Sequence, residues 1–208
     1  MITKPSAPFH AALNSDESPL APWSIEPGDF PQVGSEVDRW KFLLRYAVLA
    51  PSSHNTQPWL FRLRGSVAEL YADRTRACRI ADGNDRELIM SCGCALYHLR
   101  SAMAYFGYSD SVEIFPESND PDLLARITLD TGKSASPTGN LMFFAIVKRR
   151  TNRQPFRNDP VPPALLAELV TAAQDEKAAL QIIAGEEARY VAASLIAEGD
   201  RRQWAPGD

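Results

Sequence analysis

Residues 148–157 read KRRTNRQPFR, which gathers Lys148, Arg149, Arg150, Arg153 and Arg157, five cations with no acid before Asp159. Such a cluster can be the solvated positive end of a helix, where cations complement the negative C-terminal dipole. It can also be a phosphate clamp, in which guanidinium groups give bidentate, charge-assisted hydrogen bonds and the Thr151 hydroxyl adds a short donor. Thr151 between Arg149 and Arg153 favours the clamp. A second segment, APSSHNTQPW at 50–59, is built of small, polar and Pro residues between an apolar helix and an apolar strand. One reading is an ordinary helix exit, with Ser and Asn capping free backbone groups. The other is a ligand cradle: Ser52, Ser53 and Asn55 present donors on a chain held between two prolines, which suits the edge of a planar heterocycle or a phosphate.

Other constellations are weaker. Ser53-His54 has no G-x-S-x-G elbow around it, and adjacent residues rarely set a base correctly on a nucleophile. Cys92, Cys94 and His98 crowd within two helical turns with no second cluster elsewhere, so packed helix residues are a better reading than a structural zinc site. Neither G-x-G-x-x-G nor a P-loop is present.

These residues belong to a chain of 208, with 22 Lys+Arg against 26 Asp+Glu, a net charge of −4 and 45% apolar residues. That composition supports one sizeable core, in one domain or two. The slightly acidic balance provides no global field for nucleic acid or an anionic membrane, so an anionic ligand must be held locally. No apolar run is long enough to span a bilayer, and MITKPSAPFHAALNSDES has no continuous apolar stretch of signal type. Three cysteines make no disulfide framework. The expectation is a soluble, cytoplasmic protein that engages neither nucleic acid nor membrane.

The elements that must position the chemistry follow from pattern. Residues 1–34 form a Pro-rich arm, draped or disordered. Ser35 followed by Asp38 resembles an N-cap, and Trp40, Leu43, Leu44, Ala47 and Val48 predict a helix over 38–50 that Pro51 stops. Leu60–Leu63 and Val67–Tyr71 flank Arg64-Gly65-Ser66 as a hairpin. From Arg86 a helix runs to near Gly107, and its small centre, SCGCA, predicts close packing at Gly93. Strands are expected at 111–115 and 125–130, then a short buried helix, LMFFAIVKRR, entering the basic cluster. A helix at 164–173, a strand at 179–184 and a helix at 186–198 complete an α+β architecture. LLRYAVLAPS (43–52) also overlays LAELVTAAQD (166–175) without gaps, the mark of an internal repeat.

Together, APSSHNTQPW (50–59), LYADRTR (70–76), DRELIMSCGCALYHL (85–99) and RRTNRQPF (149–156) with the PVP helix after it resemble the nitroreductase family of FMN proteins, in particular its Acg-type branch. In that family the flavin lies at a homodimer interface, with an R-x-S-x-R motif of one subunit on the phosphate and a P-S-x-x-N-type loop of the other reaching the flavin. The Acg-type branch resembles that dimer fused into one chain. The resemblance implies a nitroreductase-like fold with an antiparallel-rich sheet flanked by helices. It also implies a tandem arrangement: the arm at 1–34, a first half at 35–148 and the start of a second half at 149–208.

Carried over by residue, Arg149, Thr151 and Arg153 fall on the phosphate motif, with Arg150 beside them, and Ser52, Ser53 and Asn55 fall on the loop motif. The activity implied is ping-pong, NAD(P)H reducing FMN and a nitroaromatic or quinone-like small molecule accepting the electrons. No protein acid or base is needed, so binding residues are named and no catalytic or metal residue. The second half is about half as long as the first, which leads to the expectation that a C-terminal part or a second copy in a homodimer completes the fold. Two alternatives stay open: a non-catalytic protein that binds or sequesters FMN under a lid, and a chain that binds nothing.

Overall fold

The computed structural model describes residues 21–131 and 137–203, which fall into two compact units, Met1–Thr151 and Asn152–Asp208. The architecture is α+β. In the first unit, β1 (Trp59–Arg64), β2 (Val67–Ala72), β3 (Tyr108–Ile114) and β4 (Leu123–Thr131) form one antiparallel sheet in the order β1-β2-β4-β3. The β1/β2 hairpin pairs Trp59 with Ala72 and Arg64 with Val67. That register leaves Gly65-Ser66 as a two-residue turn, and Gly65 supplies the positive φ, 58°, that such a turn demands at its first position. β3 begins before the predicted 111–115 and ends at Ile114, one residue short of it, while β4 runs past the predicted 125–130 at both ends; ladder pairs from Tyr108–Thr131 to Ile114–Ala125 hold the extended start of β3 and the end of β4.

α2 (Arg86–Tyr105) packs across all four strands, α1 (Glu36–Ala47) packs on α2 and on β1, and α3 (Pro137–Lys148) packs on α2. Ser35 caps α1 through a reciprocal box, its hydroxyl accepting from the Asp38 N–H at 3.2 Å while the Asp38 carboxylate accepts from the Ser35 N–H at 3.0 Å. Trp40, Leu43, Leu44 and Ala47, at helical spacing, are all buried. The helix closes at Ala47 rather than at 50: Val48 still donates to Leu44 four residues back, but Leu49 and Ala50 donate to Tyr46 and Ala47, three residues back, as a tightening turn.

α2 starts after an unusual cap. Asp85 takes a left-handed φ of 56° and gives its carboxylate to Arg74 at 2.5 Å, while Asp82 accepts from the Leu88 N–H at 2.9 Å. Burial works against the Asp82 charge, but hydrogen bonds from the Leu88, Glu87 and Arg86 backbone outweigh it and hold its carboxyl below the usual range. Arg74 also reaches Asp122 at 2.5 Å, so one guanidinium ties residues 73–85 to the start of β4.

Several expectations are corrected. Within the small centre of α2, SCGCA, it is Ser91, Cys92 and Ala95 that are buried; Gly93 is exposed, and a Cβ there would meet nothing within 4 Å. The close packing predicted for Gly93 is therefore absent. α3 is not buried all round: Phe143 and Ile146 enter the core, whereas Leu141, Met142 and Phe144 are exposed. The described part of the arm, 21–34, is draped on the unit, burying Ile25 and Phe30, with the Phe30 ring stacked on Phe106 at 4.3 Å. Residues 1–20 lie outside the described residues.

The second unit contains α4 (Pro163–Asp175) and α5 (Glu186–Gln203). α4 starts with Pro163, whose missing N–H costs nothing in a first helical turn. The strand predicted at 179–184 is irregular chain. A strand exists only where a neighbour takes its backbone bonds, and among the described residues all four strands belong to the first unit. The overlaid segments 43–52 and 166–175 diverge in length of helix. α4 continues to Asp175 because Gln174 stands where the first segment has Pro51. No helix among the described residues is long and apolar enough to cross a membrane.

Candidate functional site

The segment between α1 and β1 is held in a conformation that L-residues avoid. His54, Asn55 and Gln57 all take left-handed φ values, 51°, 57° and 50°. Each costs on the order of 1–2 kcal/mol, least for Asn, and such strain persists only where surrounding bonds impose it. Those bonds are present. Ser52 Oγ accepts from the Gln57 N–H at 3.0 Å, and the Ser52 carbonyl accepts from the Asn55 N–H at 3.0 Å. The Thr56 hydroxyl and N–H both donate to the Ser53 carbonyl, at 3.0 and 3.1 Å. Arg76 donates to the Thr56 carbonyl at 3.0 Å. At the far end the Pro58 carbonyl accepts from the Asp73 N–H at 2.9 Å and the Cys92 thiol at 3.2 Å.

Within this loop the three candidates have different standing. Ser53 is committed: its N–H donates to Ser91 Oγ at 3.1 Å and its hydroxyl donates to the Glu87 carboxylate. Ser52 accepts from Gln57 and so keeps its own proton to give. Asn55 is exposed, and its carboxamide has no partner among the described residues.

Arg149 of the basic cluster reaches the start of this loop. Arg149 continues the α3 hydrogen-bond pattern, its N–H bonding Ala145 O at 2.8 Å, and its guanidinium donates to the Leu49 carbonyl at 3.3 Å, two residues ahead of Pro51. It also lies 3.4 Å from Thr151 Oγ1. Its Nε is buried without a partner. Arg150 behaves differently: it donates to the Val147 and Arg149 carbonyls, both at 2.8 Å, and stacks 4.0 Å above the Trp23 ring. It is thus a C-terminal cap of α3 braced on an aromatic face. Thr151 is exposed. Arg153 is exposed in the second unit, where Arg157 pairs with Asp159 at 3.2 Å.

Cys92, Cys94 and His98 serve the packing. The Cys92 thiol is spent on Pro58, and burial pushes its pKa up to about 12. The His98 Nδ1–H donates to the Tyr46 carbonyl at 3.3 Å; burial first, then the charge of Arg149, lowers its pKa to about 4 against the pull of that hydrogen bond. Burial also raises the Cys94 thiol, with Arg149 opposing. No group of three His, Cys, Asp or Glu that could hold a metal occurs among the described residues. Trp23, Glu87 and Ser91, which support the two motifs, carried no signal in the sequence, being an arm aromatic and two ordinary polar helix residues.

What the first unit assembles is therefore a strained loop with outward donors beside a half-buried arginine, an arrangement suited to a polar planar ligand that carries an anion. No family model matches the chain. The Mycobacterium tuberculosis protein acg, described by name as an NAD(P)H nitroreductase, is 33% identical over 162 residues, covering 77% of this chain and 49% of its own length. A second M. tuberculosis protein with the same description is 37% identical over 131 residues, 63% of this chain and 38% of its own. PigM of a Serratia species, also described by name as an NAD(P)H nitroreductase, is 37% identical over 67 residues, 31% of this chain and 19% of its own. The chain thus spans about half the length of the first of these relatives. These similarities relate the chain to the NAD(P)H nitroreductase family and, within it, to the Acg-like branch.

Proposed function

We propose that the chain carries the flavin-holding residues of an FMN-dependent NAD(P)H oxidoreductase of nitroreductase type, which reduces nitroaromatic or quinone-like acceptors by a ping-pong route. The observation that carries this reading is the buried, unpartnered Nε of Arg149 beside the strained loop. An unsatisfied buried donor costs on the order of 1–3 kcal/mol, and more when charged, which an anionic ligand oxygen would relieve. The residues present therefore fit a flavin phosphate. Arg149 and Thr151 would hold it, and Arg153 joins them on the sequence motif. Ser52 and Asn55 would donate to the ring edge from a loop whose shape is already fixed. Bound FMN would supply the chemistry, accepting hydride from NAD(P)H and passing electrons to the acceptor. The chain's own residues bind, orient and place positive charge beside the group. The free thiols Cys78, Cys92 and Cys94 fit a reducing compartment such as the cytoplasm.

A second reading, in which FMN is held without turnover, draws support from the arm: its Trp23 ring lies against Arg150 and near Arg149, where it can cover the start of the basic cluster. One experiment separates the two. The protein is incubated with FMN, desalted, and its visible spectrum followed during anaerobic addition of NADPH and NADH, then of a nitroarene. Retained colour that bleaches and returns supports the oxidoreductase. Retained colour without bleaching means sequestration, and a colourless but folded protein overturns flavin binding by this chain.

A further inference from the structure

The strained loop is not held by its own bonds alone, and the residue that anchors it is one that motif reasoning assigns to the ligand. Every polar group of Ser53 is engaged: the carbonyl by Thr56, the N–H by Ser91 Oγ and the hydroxyl by the Glu87 carboxylate. Ser91 Oγ, having accepted from Ser53, donates its own proton to the Glu87 carbonyl at 2.7 Å. Glu87 and Ser91 lie one turn apart on α2, so the three residues close a ring of hydrogen bonds between the loop and the first turns of that helix. Ser91 is buried at 4% exposure, which shields the ring from water on the helix side. The left-handed residues His54, Asn55 and Gln57 follow directly after this anchor.

We propose that Glu87 and Ser91 are positioning residues that act through Ser53: they fix Ser53 as the fulcrum of the loop, so that Ser52 and Asn55, and not Ser53, present the donors to the ligand. This deepens the flavin reading and rests on it. A flavin that took the Ser53 hydroxyl or N–H would have to break a bond in the ring. Ser52 and Asn55 can donate with the ring intact.

The test combines hydrogen exchange of the cofactor-free protein with binding of FMN and riboflavin, in wild type and in Ser91→Ala, Glu87→Ala and Glu87→Gln. Ser91→Ala is expected to speed amide exchange in residues 51–58 about tenfold while leaving β1 and β2 unchanged, and to weaken FMN and riboflavin by the same factor, also about tenfold. Equal factors are expected because the loop addresses the ring that both ligands share. Glu87→Ala should do the same, and Glu87→Gln, which keeps an acceptor for the Ser53 hydroxyl, should recover most of the loss. Unchanged exchange at 51–58 in both alanine variants overturns the proposal, as does a loosening that spreads equally through β1 and β2. Glu87 is exposed, so its variants remain informative if Ser91→Ala does not fold. Wild-type protein that binds neither flavin sinks the flavin reading. In that case the exchange data still decide the anchor, local loosening supporting it and unchanged protection overturning it.

Discussion

His98 is buried at 7% exposure, donates Nδ1–H to Tyr46 O at 3.3 Å and lies within reach of the Arg149 charge. Burial, the largest influence, takes its pKa from 6.5 to about 4. The native value lies below the unfolded one, so the unfolded chain takes the proton first as pH falls. The stabilisation is whole above pH 6.5, decays through the acid range and stops changing below about 4. At about 1.36 kcal/mol per pH unit the whole effect approaches ~3 kcal/mol, and the part lost between pH 7 and pH 5 is about 2 kcal/mol. The assay is urea unfolding followed by tryptophan fluorescence at both pH values, in wild type and in His98→Gln. Carboxylate titration is common to the two proteins and cancels in the difference. Wild type should lose about 2 kcal/mol more than the variant over this interval. Equal losses, or an imidazole NMR titration of wild type centred near 6.5, would refute the reasoning. The NMR measurement alone decides the matter if the variant does not fold.

Arg149→Ala should weaken FMN by about 1.5–3 kcal/mol, roughly 10- to 150-fold, with little change for riboflavin, because only FMN carries the phosphate; equal losses in calorimetric titrations would show the clamp is misassigned. Trp23→Ala should lower stability by about 0.5–2 kcal/mol by removing the face on which Arg150 stacks, and Trp23→Phe should retain part of it. Thermal melts of the two variants check this. Cys92, its thiol raised to about 12 by burial and donated to Pro58, should resist an aromatic disulfide reagent at pH 8 in the folded protein. Mass mapping that finds Cys92 labelled as fast as the half-buried Cys78 would contradict that environment.

The first unit was legible wherever the signal was local. The Ser35 box, the spacing of Trp40, Leu43, Leu44 and Ala47, and the Gly65 turn each specify structure through neighbours in the chain, and α1, β1 and β2 formed at the places expected, with α1 shifted to Glu36–Ala47. The strand expected at 179–184 failed because β-propensity describes a side chain's fit to a sheet, whereas pairing needs a partner strand. Gly93 failed for a related reason: a run of small residues in a helix does not say which of them faces inward, and that choice falls to Ser91, Cys92 and Ala95. In the candidate site, residue types named the two motifs but not the division of labour inside them. Arg149 and Arg150 are adjacent and chemically alike, yet one turns to Leu49 and the other to the end of α3 and Trp23. Ser53 likewise gives no local sign in the sequence that its hydroxyl and N–H bond Glu87 and Ser91, 34 and 38 residues away.

The bond from Arg149 to Leu49 joins residues 100 apart in the chain. During synthesis the hairpin of β1 and β2 can pair as soon as it emerges, since its strands are neighbours, whereas the Arg149 side of the candidate site has to wait until α3 and Arg149 have left the ribosome. Closing so long a loop adds only a logarithmic entropy cost, so the delay is one of order rather than of energy. A ligand that needs both the loop and Arg149 would therefore select finished first units over nascent ones, and its capture would report completed folding instead of guiding it.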